Sequence, residues 1–437
     1  MTTLNQTSSK VDYSAAPGHD RPRRRSLWVY LAAMGPGLIA ANAGNDAGGI
    51  ATYASAGASY GYGFLWVMVV IFFFLGVVQE MFARLGAVTG KGFSDLVREN
   101  FSLRMTAFIL LSLLIANFGV IVTEFVGIGA AAELFGVSRY IAVPVSAALL
   151  WLLITRGSYN RVEKVFLVLT LVFLAYIGAA FLAKPDWHVV LSETLRPHIE
   201  EDPAYLNLLI ALIGTTITPY MQLYVQSSTA ERGARPEDYR LTQVDVWSGT
   251  FFAVAISGFI IIATAATLFP IHKEVETAAD AALALAPIAG QYASYLFAVG
   301  LLGACLLAGA VLPLSTTYVM SEAAGFERGV SRSWSEAPVF IGMFTALLVL
   351  GAAVALIPAL PVIPVLLGVQ VLNGVLLPIE LFAVLQLINN RELMGDYVNS
   401  RLGNVMTYTI AMIVSLLSVT LILSTVLDWF DVKLLGG

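Results

Sequence analysis

Runs of about twenty apolar residues recur from Leu27 almost to the end of this 437-residue chain, and no other feature constrains its fold so strongly. Lipid offers no hydrogen-bond partner to a bare peptide group, so each such run has to satisfy its own backbone as a membrane-spanning helix. Eleven spans are expected, at roughly 27–57, 62–89, 104–134, 139–155, 162–183, 204–229, 241–269, 281–321, 336–358, 361–388 and 404–430. Charged residues are only 12% of the chain and apolar ones 58%, against about a quarter charged in an average soluble protein. The fold class is therefore an all-α polytopic membrane protein. No polar linker divides it, so residues 27–432 read as one transmembrane domain behind a polar, basic tail at 1–26. That tail lacks a short apolar core with a small-residue cleavage site and reads as cytoplasmic rather than as a signal peptide.

Lys and Arg set the orientation. With the N-terminus inside, most of the 24 basic residues fall on the cytoplasmic side, among them Arg21, Arg84, Lys91, Arg156, Arg232, Arg328, Arg391 and Arg401. Arg139, Lys184, Arg196, Lys273 and Lys433 remain outside. An odd number of spans then puts the C-terminus outside, and the expected location is the plasma (inner) membrane. The cluster Arg21–Arg25 serves either as a topogenic signal or as an anionic-lipid contact. Residues 185–203, mixed in character and acidic at their end, read as an external loop with room for a surface helix.

Two spans are not uniform. The first carries Gly44, Asn45, Asp46, Ala47, Gly48 and Gly49 near its middle. Glycine weakens a helix by about 1 kcal/mol relative to alanine, and a carboxylate at mid-bilayer costs about 2.5–3.5 kcal/mol. Such a segment is expected to unwind and to line a cavity or bind something. Span six carries Thr215, Thr216, Ile217, Thr218, Pro219 and Tyr220, where the proline removes one intrahelical donor and frees carbonyls near Thr215 and Thr216. These spans open two five-span blocks, about 27–183 and 204–388, and an odd number of spans per block inverts the second. Broken helices at matching places in inverted repeats point to a mid-membrane substrate site.

The chemistry at the breaks is that of a cation site. Asp46 is the acidic residue of the first break, and neither break contains Lys or Arg. The candidate ligands are all oxygens: the Asp46 carboxylate, carbonyls around Ala43 and Thr215, and the Thr218 hydroxyl, with Gly49 leaving space. Oxygen donors suit magnesium, calcium or manganese. Net charge is −5, which points to no nucleic-acid partner; the lone Cys305 excludes an intrachain disulfide or a thiolate cluster, and the four histidines fall outside the expected spans.

At these residues the chain resembles the natural-resistance-associated macrophage protein family of divalent metal transporters. The resemblance runs from Gly35 to about Asn404, through GPG at 35–37, QEMFARLGAVTGKGFSDLVRENF at 79–101, LFAVGLLGA at 296–304 and, most specifically, RELMGDYVNSRLGNV at 391–405. It implies eleven or twelve helices in the inverted 5+5 repeat shared with sodium-coupled amino-acid transporters of the LeuT type. It also brings out departures. Where the family carries Asp-Pro-Gly-Asn this chain has Asp46, Ala47, Gly48 and Gly49, and where the family has Ala-x-x-Met-Pro-His it runs from Thr215 to Tyr220. The soft thioether becomes the Thr218 hydroxyl, which removes a preference for transition metals. An acidic pair on span three becomes Glu124 and Gly127, and the histidine becomes Tyr220. The combination is similar to the family's magnesium-transporting branch, which implies uncoupled uptake of a partly hydrated ion.

The expected activity is thus a uniporter-like import of Mg²⁺, and also Mn²⁺, by alternating access. The alternatives are a proton-coupled Mn²⁺/Fe²⁺ importer and, from another class, a sodium-coupled amino-acid transporter; a channel or receptor would leave the paired breaks unexplained. The chain is not expected to be an enzyme, no cofactor is expected beyond the transported ion, the bilayer is its medium, and a monomer suffices. Around the site, Asn45, Tyr220, Glu124, Gln370 and Asn373 are candidates for the pathway or for contacts to metal-bound water. Glu124 reads equally as a residual relay or as a helix–helix hydrogen bond, and Gln370 and Asn373 as water ligands or as polar glue. Glu80 is expected to pack beside Arg84, Asp245 to cap or pair at the start of span seven, and Glu380 to be either a pathway charge or a partner for another helix.

Overall fold

Capping residues mark the starts of several helices, and left-handed glycines the ends of others. The computed structural model describes residues 45–156, 174–200, 202–231, 233–234, 239–326 and 334–428, which contain helices and no strand. Helix α1 (Ala47–Tyr60) starts at Asp46, whose carboxylate accepts the Gly49 N–H at 2.6 Å, and ends at Gly61 in the left-handed region at φ 57°. Helix α2 (Leu65–Thr89) stops the same way at Gly90, and the short α3 (Phe93–Asn100) follows. Ser102 caps α4 (Leu103–Leu134), which leads to α5 (Arg139–Arg156). Helices α6 (Leu174–Leu182) and α7 (Trp187–Leu195) come next, the latter capped by Asp186 inside the expected external loop. Asp202 caps α8 (Pro203–Thr216), and α9 (Pro219–Glu231) starts on Pro219, whose missing N–H costs nothing at a first helical position. Helices α10 (Tyr239–Thr267), α11 (Ala293–Ala324), α12 (Pro338–Ala355), α13 (Val362–Ile388) and α14 (Arg401–Asp428) complete the chain.

Among the described residues nine helical segments are long and apolar enough to cross a membrane. The two other expected spans, 27–57 and 162–183, reach into residues outside the description, and so do Ala43, the tail and Arg21–Arg25. Three expectations are corrected. The span at 281–321 is a 32-residue helix, α11, preceded by a hairpin of short helical turns over Ala278–Tyr292. The Thr277–Asp280 capping box opens that hairpin, and Gly290 at φ 52° turns it. Gly48 and Gly49 are not unwound: with Asp46 satisfying the Gly49 N–H, they form the first turn of α1. Asp245 lies buried inside α10, too far from its start at Tyr239 to cap it, which leaves the pairing alternative standing. Glu80 does pair with Arg84, at 3.0 Å.

In lipid, helices associate by close packing rather than by escape from water. Helix α4 lies along α11, α8 along α13, α1 along α10 and α9 along α2. The α8–α13 crossing is a backbone contact: a Cβ on Gly214 would collide with the Gln370 carbonyl, and one on Gly374 would stand 2.6 Å from the Ile210 carbonyl. Side chains such as Phe108, Leu111 and Ile115 on α4 and Met412, Leu416 and Val419 on α14 face outward as apolar stripes, as a lipid boundary requires. Gly214→Val is expected to cost about 1–3 kcal/mol through overpacking at that crossing, read as lower thermal stability of the detergent-purified protein. Unchanged stability would mean that the crossing relaxes freely.

Candidate functional site

The site forms where α1 begins and where α8 gives way to α9. On the first side, Asn45 and Asp46 make the bend that precedes α1. Asp46 spends Oδ1 on the Gly49 N–H, while Oδ2 is buried without a hydrogen-bond partner. Asn45 Oδ1 accepts from Ser257 Oγ on α10 at 3.1 Å, which ties the bend to the neighbouring helix. On the second side, α8 ends at Thr216, Ile217 and Thr218 are non-helical, and α9 restarts at Pro219. Thr215 and Thr218 are fully buried and their hydroxyl oxygens have no hydrogen-bond partner. Tyr53 joins the two sides through a 2.9 Å bond between its hydroxyl and Thr216 Oγ1.

Glu124, on α4, is brought into this site rather than left beside it. Its Oε1 accepts from Thr123 Oγ1 at 3.4 Å, and the carboxylate lies near the head of α1 at Ala47, near Asp46 and near the Cys305 thiol of α11. One of its oxygens, Oε2, is buried and unpartnered. The Tyr220 phenol lies beside both carboxylates. From α13, Gln370 presses on Gly48 so closely that any Cβ there would overlap its amide. Asn373 donates to Gln370 Oε1 at 3.0 Å, leaving Gln370 Nε2 and Asn373 Oδ1 unpartnered.

The candidates thus separate cleanly. Asp46, Glu124, Tyr220, Gln370 and Asn373 are linked around the head of α1, Thr215 and Thr218 flank the second break, and Asn45 is turned toward α10. Gly49 supplies an N–H to Asp46, and Ala43 lies outside the described residues. Glu380 is buried elsewhere on α13 with both oxygens unpartnered. Cys305 and Tyr53 were not singled out by their sequence context. Cys305 was set aside as a lone thiol, yet its Sγ would stand 2.6 Å from a Cβ on Gly127. Gln222, in the first turn of α9 after the break, is buried with both amide atoms unpartnered, and its place just past Pro219 was the available signal.

The electrostatics are one-sided. Two buried carboxylates meet here, and neither takes part in an ion pair among the described residues. The N-terminal end of α1 offers its partial positive charge and the Gly49 N–H, which offset part of the cost. Burying the pair still calls for a bound cation or a bound proton. The C-terminal end of α8, with its carbonyls, points its negative pole at the same region.

A family model described as natural-resistance-associated macrophage protein-like matches residues 37–424. The chain belongs to that family. Among curated members, the divalent metal cation transporter MntH of Klebsiella pneumoniae strain 342 is 30% identical over 433 residues, covering 96% of this chain and 99% of that protein. MntH of Erwinia tasmaniensis is also 30% identical, over 403 residues, 88% of this chain and 92% of the relative. The family consists of transporters, and this chain is a multi-pass membrane transporter, not an enzyme. Among solved structures, the Eremococcus coleocola manganese transporter in complex with an aromatic bis-isothiourea substituted compound superposes with a TM-score of 0.75 at 20% identity, over 91% of this chain and 88% of that one. MhsT in complex with L-phenylalanine gives 0.56 at 14% identity, over 89% and 97%. At such identities these two describe the fold alone.

Proposed function

We propose that this member of the natural-resistance-associated macrophage protein-like family imports a divalent cation, Mg²⁺ foremost and Mn²⁺ as well, by alternating access and without proton coupling. One observation carries the reading: Asp46 and Glu124 meet at the head of α1 with no basic partner among the described residues, so a divalent cation neutralises the pair. The partners at hand are hard. Unpartnered oxygens of Asp46, Glu124, Thr215, Thr218 and Asn373 suit magnesium and manganese. Amide and phenol groups of Gln370 and Tyr220 suit an ion that keeps some of its water. The MntH name of the curated relatives supports divalent-metal import in general.

The 5+5 inverted repeat belongs to the same proposal. Its support is the packing of α1 on α10 and of α9 on α2, the exchange expected when spans one and two correspond to six and seven. With that repeat go eleven spans, residence in the plasma membrane, a cytoplasmic N-terminus and an external C-terminus. The adjacency of Asp46 and Glu124 favours one second reading, proton-coupled import, because a carboxylate pair can hold a proton that the ion displaces. A sodium-coupled amino-acid transporter is disfavoured, since Asp46 and Glu124 would repel a substrate carboxylate. The test is uptake into proteoliposomes with Mg²⁺, Mn²⁺ and Ca²⁺ compared. Saturable Mg²⁺ uptake is the expected result, and saturable uptake of Mn²⁺ with none of Mg²⁺ would overturn the magnesium assignment.

Selectivity on this reading resides in the missing thioether and amide. Thr218→Met combined with Gly49→Asn supplies a soft ligand and fills space, so Mg²⁺ uptake should fall about tenfold more than Mn²⁺ uptake. An unchanged ratio would place selectivity elsewhere.

A further inference from the structure

A cavity of about 660 Å³ opens away from the two breaks, at the C-terminal end of α1 and the N-terminal end of α8. Its rim carries Asp202, Glu274 and His272, and its walls run down past Asn207 to Ser55, Ala211 and Val371. Ser55 lies seven residues beyond Gly48 on α1, or about 10 Å along the axis, and Ala211 one turn before Thr215 on α8, or about 6 Å. The cavity therefore descends toward the carboxylate pair and stops short of it. Nearby, Ala278 and Ala281 of the hairpin pack over Ala47, Ile50 and Ala51 and leave a space of only about 10 Å³, too small for more than a single water.

The lining contains two carboxylates and no Lys or Arg. Lys273, next to Glu274 in sequence, is turned to Asp280, with its Nζ at 2.9 Å. Tyr60 donates to Asp202 Oδ2 at 2.7 Å and Ala204 N–H to Oδ1 at 3.1 Å, which hold this carboxyl below its usual range and keep it ionised. Deeper in, Ser55 Oγ lines the cavity while buried and without a hydrogen-bond partner. Among the described residues no three His, Cys, Asp or Glu side chains stand close enough to hold a bare ion. A cation here keeps its hydration shell.

We propose that this cavity is a collecting site for a hydrated divalent cation, held through its water by Asp202 and Glu274 and passed inward along Ser55 and Asn207 when the hairpin side opens. The proposal rests on the import reading, which makes this the entry face. A low-dielectric cleft lined by one sign of charge raises the local concentration of counter-ions, and added salt screens the effect.

The test is Mg²⁺ uptake by the full chain in proteoliposomes, with initial rates fitted at low and at high ionic strength. Glu274→Lys places a cation at the exposed rim. The double variant Asp202→Asn, Glu274→Gln removes both charges while asparagine still caps α8. At low salt each is expected to raise KM about fivefold with the maximal rate unchanged, and high salt should shrink the difference to less than twofold. When Mg²⁺ is supplied from the opposite face, KM should not move. Wild-type KM at low salt in both variants overturns the proposal while leaving the import reading intact. So does a KM change that salt does not reduce or that appears equally from both faces. Absence of saturable Mg²⁺ uptake in the wild-type protein itself overturns the import reading instead.

Discussion

Asp46→Ala is expected to lower saturable divalent-cation uptake at least a hundredfold while the protein still folds. Two roles of the side chain have to be separated. As N-cap it accepts the Gly49 N–H at 2.6 Å, and its loss costs about 1 kcal/mol of α1 stability. As a buried carboxylate with Oδ2 free and no basic partner described, it is a destabilising charge, so its removal relieves the fold about as much as the lost cap weakens it. The ion loses half of the charge that compensates it. A hundredfold loss corresponds to about 2.7 kcal/mol, modest for one ion–carboxylate contact in a low-dielectric site. Asp46→Asn separates the roles, because asparagine also caps well: it should restore thermal stability without restoring transport. Wild-type-like uptake by Asp46→Ala, in protein that elutes as a single species, would show that the ion binds elsewhere.

The described helices and the break before Pro219 were legible in the sequence because their causes are local. Twenty apolar residues in hydrocarbon have only one way to satisfy their peptide groups, and Pro219 acts on its own turn. What eluded the sequence depended on which helices meet. Glu124 stood about eighty residues from Asp46 with two readings open, and only the packing of α4 against the head of α1 placed the carboxylates together. Gly48 looked like a helix breaker. In the fold it is helical, and its lack of a side chain makes room for Gln370 from α13. Gln370 and Asn373 were open between water contacts and helix glue; they are bonded to each other, yet each keeps an unpartnered polar atom. The 281–321 run read as one long span because apolarity does not distinguish a membrane helix from a hairpin of short apolar turns. Gly290 and the Thr277–Asp280 box held that information, hidden in a window averaged for hydropathy.

Uptake is expected to follow membrane voltage and to leave internal pH unchanged. Coupling to protons needs a group that releases a proton as the ion arrives and a route along which that proton leaves. Asp46 and Glu124 supply the first requirement. On the uncoupled reading proposed above, the route is missing. A side chain at 127 has no room, since even a Cβ would stand 2.6 Å from both the Ala47 Cβ and the Cys305 Sγ. Two turns from Glu124 along the same face of α4, Asn117 donates to Thr316 Oγ1 at 3.0 Å, a neutral pair that does not titrate. The resemblance places Tyr220 where the family carries its histidine, and all four histidines of the chain lie outside the expected spans. Voltage suffices without protons. At about 2.3 kcal/mol per charge per 100 mV, a divalent cation gains about 4.6 kcal/mol, enough for roughly 2,000-fold accumulation. Proteoliposomes polarised negative inside by a potassium gradient, with a pH dye enclosed, should therefore take up Mg²⁺ faster than unpolarised ones and show no acidification. Glu124→Gln halves the compensating charge and should weaken uptake through KM, again without a pH signal. Stoichiometric acidification in the wild type that disappears in Glu124→Gln would establish the carboxylate pair as a proton carrier and favour the coupled reading.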